Sequence, residues 1–398
     1  GLQRVEYPHQ STEVILKETY GIAVYQEQVM QIAQVVAGYS LGAADLLRRA
    51  MGKKKPEEMV KQREIFNEGA QKSGLSLQQS NDLFDLLEKF AGYGFNKSHA
   101  AAYALVSYQT AYLKTHYPAA FAAATMSADM NNTDNVRILF DDCASNEIEV
   151  LPPDVNRSYY RFQALNNKQV LYGLGAIKGT GAAAIELIVA AREAGGPFTD
   201  LYDFCRRLDL RKINRRVIES LIRAGAFDQL DANRAALLAG VSMAIGAAEH
   251  ANHHAGQDNL FGEEMSIQHQ LPDVAAWRPP QLLQEEKAAL GFYLSGHPYV
   301  ENKAEIAQFV HGSLADISPQ KTPKLIAGVV MGVRIRMTQR GKMAIVTLDD
   351  AVARVDVVVG GDLLNTAMHL IKEDQVLVIE GRISHDDFSG GNRVNANK

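Results

Sequence analysis

Apolar positions in the first third of the chain recur at helical spacing. Val29, Ile32, Ala33 and Val36 share one face, and Leu46, Leu47 and Ala50 continue the pattern in a second helix. Met51-Gly52 and three lysines interrupt it. Pro56 with Glu57 and Glu58 then reads as the first turn of a new helix, because proline suits that position and acids complement the dipole. Gly74 reads as its stop, Leu83 to Phe90 as a further apolar helix, and His99 to His116 as a longer one ended by Pro118. Leu151-Pro152-Pro153-Asp154 predicts a domain boundary, since paired prolines stop a helix and favour extended chain. From about 168 to 234 short helices alternate with glycine turns, and around 251–280 the periodicity fades into an expected exposed tether. After Lys324 the period becomes two. Residues 325–337, 343–348, 354–359 and 375–383 are β-branched runs, with a short helix over 361–371 before the last. Four strands and one helix fit a small OB-type barrel lacking its final strand.

The length of 398 residues, with 46% hydrophobic side chains, predicts two or three domains. With 41 Lys+Arg against 46 Asp+Glu the net charge is −5, which excludes a wholly basic, histone-like protein but not local basic patches. Cys143 and Cys205 offer no zinc spacing and no disulfide framework, so a reducing cytosol is expected. No apolar run reaches the ~18 residues of a membrane span. The chain opens on Gly1 without a signal peptide and ends on Lys398 in mid-pattern, which reads as a piece of something longer.

Five constellations could carry chemistry. Arg48 to Arg63 holds seven basic residues against two acids, including Arg49, Lys53, Lys54 and Lys55. Guanidinium pairs and lysines beside a glycine turn suit a triphosphate or a nucleic-acid backbone, although cations at a helix C-terminus also complement the dipole. Gly92-Tyr93-Gly94-Phe95-Asn96-Lys97-Ser98-His99 combines a sharp turn with groups able to grip a base and a phosphate; equally, Ser98 could be a simple N-cap and His99 a solvated first-turn residue. Tyr103, Tyr108 and Tyr112 read as packing aromatics. Gly173, Gly175, Lys178, Gly179 and Gly181 place backbone N–H groups at the start of a helix from Ala182, as in a hairpin on a DNA phosphate. A second hairpin over 221–228 follows Arg206, Arg207, Arg211, Lys212, Arg215 and Arg216; from Cys205 to Arg234 the local charge is +4. Gln257-Asp258-Asn259-Leu260-Phe261, within the acidic tether, is a short peptide able to fill an apolar pocket on a partner. Arg334 and Arg336 share one face of a strand, where a basic barrel face suits single-stranded nucleic acid and a solvated outer face fits as well. His250, His253 and His254 lack the companions of a metal site.

Together these segments resemble the C-family replicative polymerases of bacteria, the alpha subunits of DNA polymerase III. The likeness is carried by Tyr25-Gln26-Glu27-Gln28-Val29-Met30, Leu47 through Pro56, Phe90 through His99, Leu151-Pro152-Pro153-Asp154 and Gly173 through Gly181, in family order. It implies a multidomain fold: mainly α fingers over 1–153, a helix-hairpin-helix α domain binding DNA and the sliding clamp over 154–280, a connector over 281–323, and a truncated β-barrel OB-fold domain over 324–398. It implies that Arg48, Arg49, Lys53, Lys54, Asn96, Lys97, Ser98 and His99 bind the incoming dNTP and line the primer-template cleft. Gly175, Lys178, Gly179, Gly181, Arg215, Arg216, Arg334 and Arg336 become the DNA contacts, and Gln257 to Phe261 the clamp-binding peptide. Partners implied are primer-template DNA, the sliding clamp (beta subunit) and other replicase subunits. The family's nucleotidyl transfer uses Mg²⁺ held by palm carboxylates, and nothing here resembles their motif. The resemblance therefore implies a piece without catalytic residues that is inactive alone. Competing readings are a stand-alone DNA-binding and processivity module, and a repair nuclease or ligase sharing the same modules.

Overall fold

The computed structural model describes residues 4–53, 56–91, 94–254, 270–338, 341–386 and 391–398. The chain divides into two units, Gly1–His116 and Tyr117–Lys398.

The first unit is helical: α1 (Glu13–Leu16), α2 (Gln26–Ala37), α3 (Leu41–Lys53), α4 (Pro56–Lys72), α5 (Leu77–Ala91) and α6 (Lys97–His116). The expected face of α2 is buried at all four positions, and Leu47 and Ala50 of α3 join it, while Leu46 turns outward. Phe66 and Phe84 meet edge-to-face at 5.4 Å in the centre of this core. Gln28 fixes the entry to α2: its Oε1 accepts the Val24 and Tyr25 N–H groups at 2.9 Å, and its Nε2 donates to Thr19 Oγ1 at 2.8 Å. Helix α6 buries no side chain. Tyr103, Tyr108 and Tyr112, read above as packing aromatics, are instead 59%, 68% and 48% exposed.

The second unit begins with α7 (Pro118–Ala128) and α8 (Thr133–Ser145) against strands β1 (Glu149–Leu151), β2 (Gln163–Asn166) and β3 (Gln169–Leu171). The sheet order is β1-β3-β2, with β1 parallel to β3. There follow α9 (Ala182–Gly195), α10 (Leu201–Arg207), α11 (Arg215–Arg223), α12 (Arg234–His254) and α13 (Pro279–Leu290). One apolar core runs through Met126, Ile148, Val155, Tyr172, Ile188, Phe204, Phe227 and Leu290. Ile148 and Val155 flank Pro152-Pro153 in that core, so the prolines turn the chain inside a unit, and the division falls at 116/117 rather than at 153. The C-terminal end of the expected tether is anchored: Tyr202 Oη donates to the Gln270 carbonyl, Asn233 Nδ2 donates to the Val274 carbonyl, and Leu271 packs on the core.

Short helices α14 (Pro298–Glu301) and α15 (Lys303–Ile306) lead to β4 (Gln320–Thr338), β5 (Gly341–Asp349), β6 (Arg354–Val359), α16 (Gly361–Ala367), β7 (Val376–Asp386) and β8 (Gly391–Ala396). The strands form a closed barrel in the order β4-β5-β6-β8-β7. The expectation of a missing final strand is thus corrected: β8 runs parallel to β6 and antiparallel to β7 and joins them. Its segment Gly-Asn-Arg-Val-Asn-Ala carries a single large apolar residue, the fully buried Val394, so no β-branched run advertises it. Polar contacts tie the barrel to the helices. Arg354 reaches Asp141 of α8 at 2.8 Å and Asp349 at 2.5 Å, and Asp374 receives the Lys287 ammonium and, at 2.6 Å, the Tyr293 hydroxyl.

Candidate nucleic-acid interface

In the first unit, residues 24–27 gather two of the expected clusters. The Gln26 N–H donates to the Phe95 carbonyl at 3.0 Å, and Gln26 Oε1 accepts Arg48 Nη1 at 3.2 Å. Arg48 and the 94–99 turn therefore lie together. Asn96 is the cap of α6, its Oδ1 accepting the His99 N–H at 2.9 Å, so the cap is Asn96 and Ser98 stands exposed in the first turn. Lys97 lies over the Tyr25 ring at 5.5 Å and pairs with Glu18 at 2.6 Å, a bond that raises its pKa. Its N–H donates to the Glu27 carboxylate. His99 sits between Phe95 and Tyr103, with ring centroids at 5.2 and 4.5 Å, forming an exposed aromatic row. Arg48 and Arg49 both hold Asp45, at 2.7 and 2.9 Å, and the Arg48 bond in particular keeps its carboxyl below the ordinary range. Asp45 lies one helical turn before them, a neutralising partner legible in the spacing. The Lys53 side chain, Lys54 and Lys55 lie outside the described residues.

The glycine hairpins differ sharply. At Gly175 a β-carbon would fall 2.4 Å from the Tyr160 ring, so this glycine serves close packing. Gly179, with φ +84°, makes the turn itself and is exposed, as is Gly181, the N-cap residue of α9. The Lys178 N–H is spent on the Ala289 carbonyl at 2.8 Å, while its side chain is exposed. The Thr180 and Ala184 N–H groups are spent on the Ile177 and Gly181 carbonyls, at 3.2 and 3.1 Å, which leaves those of Ala182 and Ala183 as the helix start without an intrahelical acceptor. Ser220 of α11 stands beside Gly179, and Arg216 lies one turn before it on the same face. Arg216 and Lys212 are exposed, whereas Arg215 pairs with Glu219 at 2.5 Å.

The second turn does not open to solvent. Gly225, with φ +85°, is buried beneath Arg234, which is 5% exposed and grips Asp228 through Nε at 2.8 Å and Nη2 at 2.6 Å. Much of the remaining charge between 205 and 234 is already paired within the chain. Arg206 and Arg207 share Asp203, Arg207 also covers the Phe198 ring at 4.5 Å, Arg211 holds Asp209, and Arg223 holds Glu285.

On the barrel, Arg334 bonds Asp356 at 2.7 Å, and Arg336 is exposed on a β4–β5 hairpin that also presents Ile335 and Met337 at 46% and 80% exposure. Gln257, Asp258, Asn259, Leu260 and Phe261 lie outside the described residues. Among the described residues no group of His, Cys, Asp and Glu could hold a metal ion. The acid pair Asp349-Asp350 is spent on Arg354, Ser313 and backbone N–H groups, so its donors do not fit Mg²⁺. Among them, too, no helix is long and apolar enough to cross a membrane.

Three family models match in succession: the bacterial DNA polymerase III alpha subunit finger domain over residues 1–74, a helix-hairpin-helix motif over 147–237, and an OB-fold nucleic acid binding domain over 325–398. A DNA polymerase III subunit alpha from Neisseria meningitidis serogroup A is 52% identical over 400 residues, covering 100% of this chain and 35% of the relative. Those of Escherichia coli K12 and Pseudomonas aeruginosa are 48% and 46% identical, again across 100% of this chain. The chain spans about a third of the length of these curated relatives, at 35–36%. A solved structure of RecG bound to three-way DNA junction overlaps 51% of the chain at 13% identity, and its TM-score of 0.17 carries no argument. Over the segment it spans, the chain belongs to the bacterial DNA polymerase III alpha subunits.

Proposed function

We propose that this chain supplies the nucleotide-facing fingers, the DNA-binding hairpin and the barrel of a replicative DNA polymerase, and that Mg²⁺-dependent nucleotidyl transfer belongs to residues outside it. The observation carrying the reading is the identity of about half of all positions across the whole chain, through fingers, helix-hairpin-helix and OB segments in succession. Arg48, Arg49, Asn96, Lys97, Ser98 and His99 face the incoming dNTP, the guanidiniums exchanging Asp45 for phosphate oxygens. The amides of Ala182 and Ala183, with Lys178 and Arg216, hold a phosphate of the primer-template; the exposed Gly179 and Gly181 of the turn support this. Arg334 and Arg336 lie along the single strand. Residues 257–261 dock on the sliding clamp, and the other replicase subunits bind the assembled polymerase.

The test is a titration of the purified chain with a primer-template over a salt series, alongside an extension assay with Mg²⁺ and dNTPs. Binding without extension is expected. Arg216→Ala is expected to reduce the slope of log K against log salt by about one phosphate contact, with Arg215→Ala changing it less because Arg215 is already paired. Primer extension by the chain alone, or a slope unchanged in Arg216→Ala, overturns the corresponding part.

A further inference from the structure

Between α8, the 292–297 loop and the β5–β6 turn lies a cavity of about 520 Å³, lined among others by Arg137, Phe140, Tyr293, His297 and Met331. Its size falls within the range of small-molecule sites. Two hydrogen-bond donors on its walls are unspent. The buried Arg137 Nε has no partner among the described residues. His297 Nδ1 accepts the Tyr299 N–H at 3.2 Å, which leaves the proton on Nε2; that atom is buried and likewise lacks a hydrogen-bond partner. Asp349 Oδ1 lies 3.5 Å from it but already accepts the Ala351 N–H at 2.8 Å, and its Oδ2 is held by Arg354, which also binds Asp141. The carboxylates on the wall are thus committed, while donors and the Arg137 charge are not. A buried donor without an acceptor is costly, so the complementary ligand brings acceptor oxygens with negative charge. Phe140 and Tyr293 offer flat aromatic surface, and Met331 an apolar thioether, that inorganic phosphate cannot use.

We infer that this cavity binds one nucleotide unit, its phosphate on Arg137 and His297 and its base against the aromatic wall. The inference rests on the nucleic-acid reading above but names a place separate from the hairpin turn and from the Arg48–His99 cluster. Free nucleotide and the phosphorylated end of a single strand share this chemistry.

The test is calorimetric titration of the whole chain with deoxyadenosine monophosphate, deoxyadenosine and inorganic phosphate. The monophosphate is expected to bind, with either half alone weaker, and Arg137→Gln and His297→Gln each to weaken it by about tenfold or more. Thermal unfolding of both variants checks folding, and the milder Arg137→Lys keeps the question open if Arg137→Gln misfolds. Short single strands with and without a 5′-phosphate identify the source. An Arg137→Gln loss confined to the phosphorylated strand assigns a strand end, and a loss confined to the mononucleotide assigns free nucleotide; both support the site. Absence of monophosphate binding, or equal binding by wild type and the folded variants, overturns it. Blunt duplex lacking terminal phosphates, titrated in parallel, separates the two readings. Arg137→Gln is expected to leave its affinity unchanged, and failure of wild type to bind duplex counts against the hairpin reading alone.

Discussion

Gly179 and Gly225 have nearly the same positive φ, and replacing each with alanine tests the proposal that the exposed turn binds while the buried one packs. At either site a β-carbon in the left-handed region costs about 1–2 kcal/mol. At Gly179 the nearest obstacle is Ser220 Oγ at 3.5 Å, an ordinary contact, so the backbone cost stands alone. At Gly225 the new carbon would lie 2.2 Å from Arg234 Nη2 and 2.9 Å from Asp228 Oδ2, and the bidentate pair must slide or part. Breaking a buried pair costs about 3–5 kcal/mol; with Asp228 31% exposed, roughly half of that applies. The expected loss is therefore about 2.5–4.5 kcal/mol for Gly225→Ala against about 1–2 kcal/mol for Gly179→Ala. Urea unfolding can be followed through Trp277, the sole tryptophan, which lies in the second unit. Duplex binding below the unfolding transition is expected to show the opposite order, weakened by Gly179→Ala and retained by Gly225→Ala. Equal destabilisation within about 0.5 kcal/mol would refute the buried-turn reasoning, that margin being the usual scatter for surface substitutions.

Burial pushes the Cys205 thiol up to about 12, so it is expected to resist iodoacetamide at mildly alkaline pH while folded and to react in urea; mass spectrometry showing equal rates would count against this. Burial by itself would raise the Asp350 pKa, but bonds from Ser313 Oγ and the Leu314, Ala353 and Val352 N–H groups hold it below its ordinary 3.8. The depressed value means Asp350 stabilises the fold above about pH 4 and loses that contribution as pH falls through the folded pKa. The stability gap between wild type and Asp350→Asn is thus expected to be flat above that point and to shrink below it; a gap already closing well above about pH 4 would contradict the assignment. Replacing Gln257, Leu260 and Phe261 together by alanine is expected to abolish sliding-clamp binding in a pull-down while leaving duplex affinity intact, and unchanged capture would sink that reading.

Where burial imposes a period, the sequence was readable. The face of α2 and the inward Val355, Val357 and Val359 of β6 follow directly from spacing. Contacts set by distant chain were not. Gly179 and Gly225 look alike in one dimension, and only the position of Arg234 decides which turn is covered. The Lys97 pairing with Glu18 and Glu27 joins residues some seventy or more apart, beyond any local pattern. Pro152-Pro153 signalled a true break in secondary structure but not in packing, because Ile148 and Val155 return to the same core. The cavity beside Arg137 left no mark in the sequence, being made where a helix, a loop and a strand turn converge.

The parallel pairing of β6 with β8 has a consequence for how the protein is made. Until Val394 and its neighbours emerge during synthesis, β6 and β7 each keep an open edge of unpaired N–H and C=O groups, beside apolar faces already formed. The last few residues of the barrel thus act as its stopper against strand-to-strand aggregation. A chain stalled in translation just short of residue 391 leaves a sticky sheet edge that the closed barrel does not have.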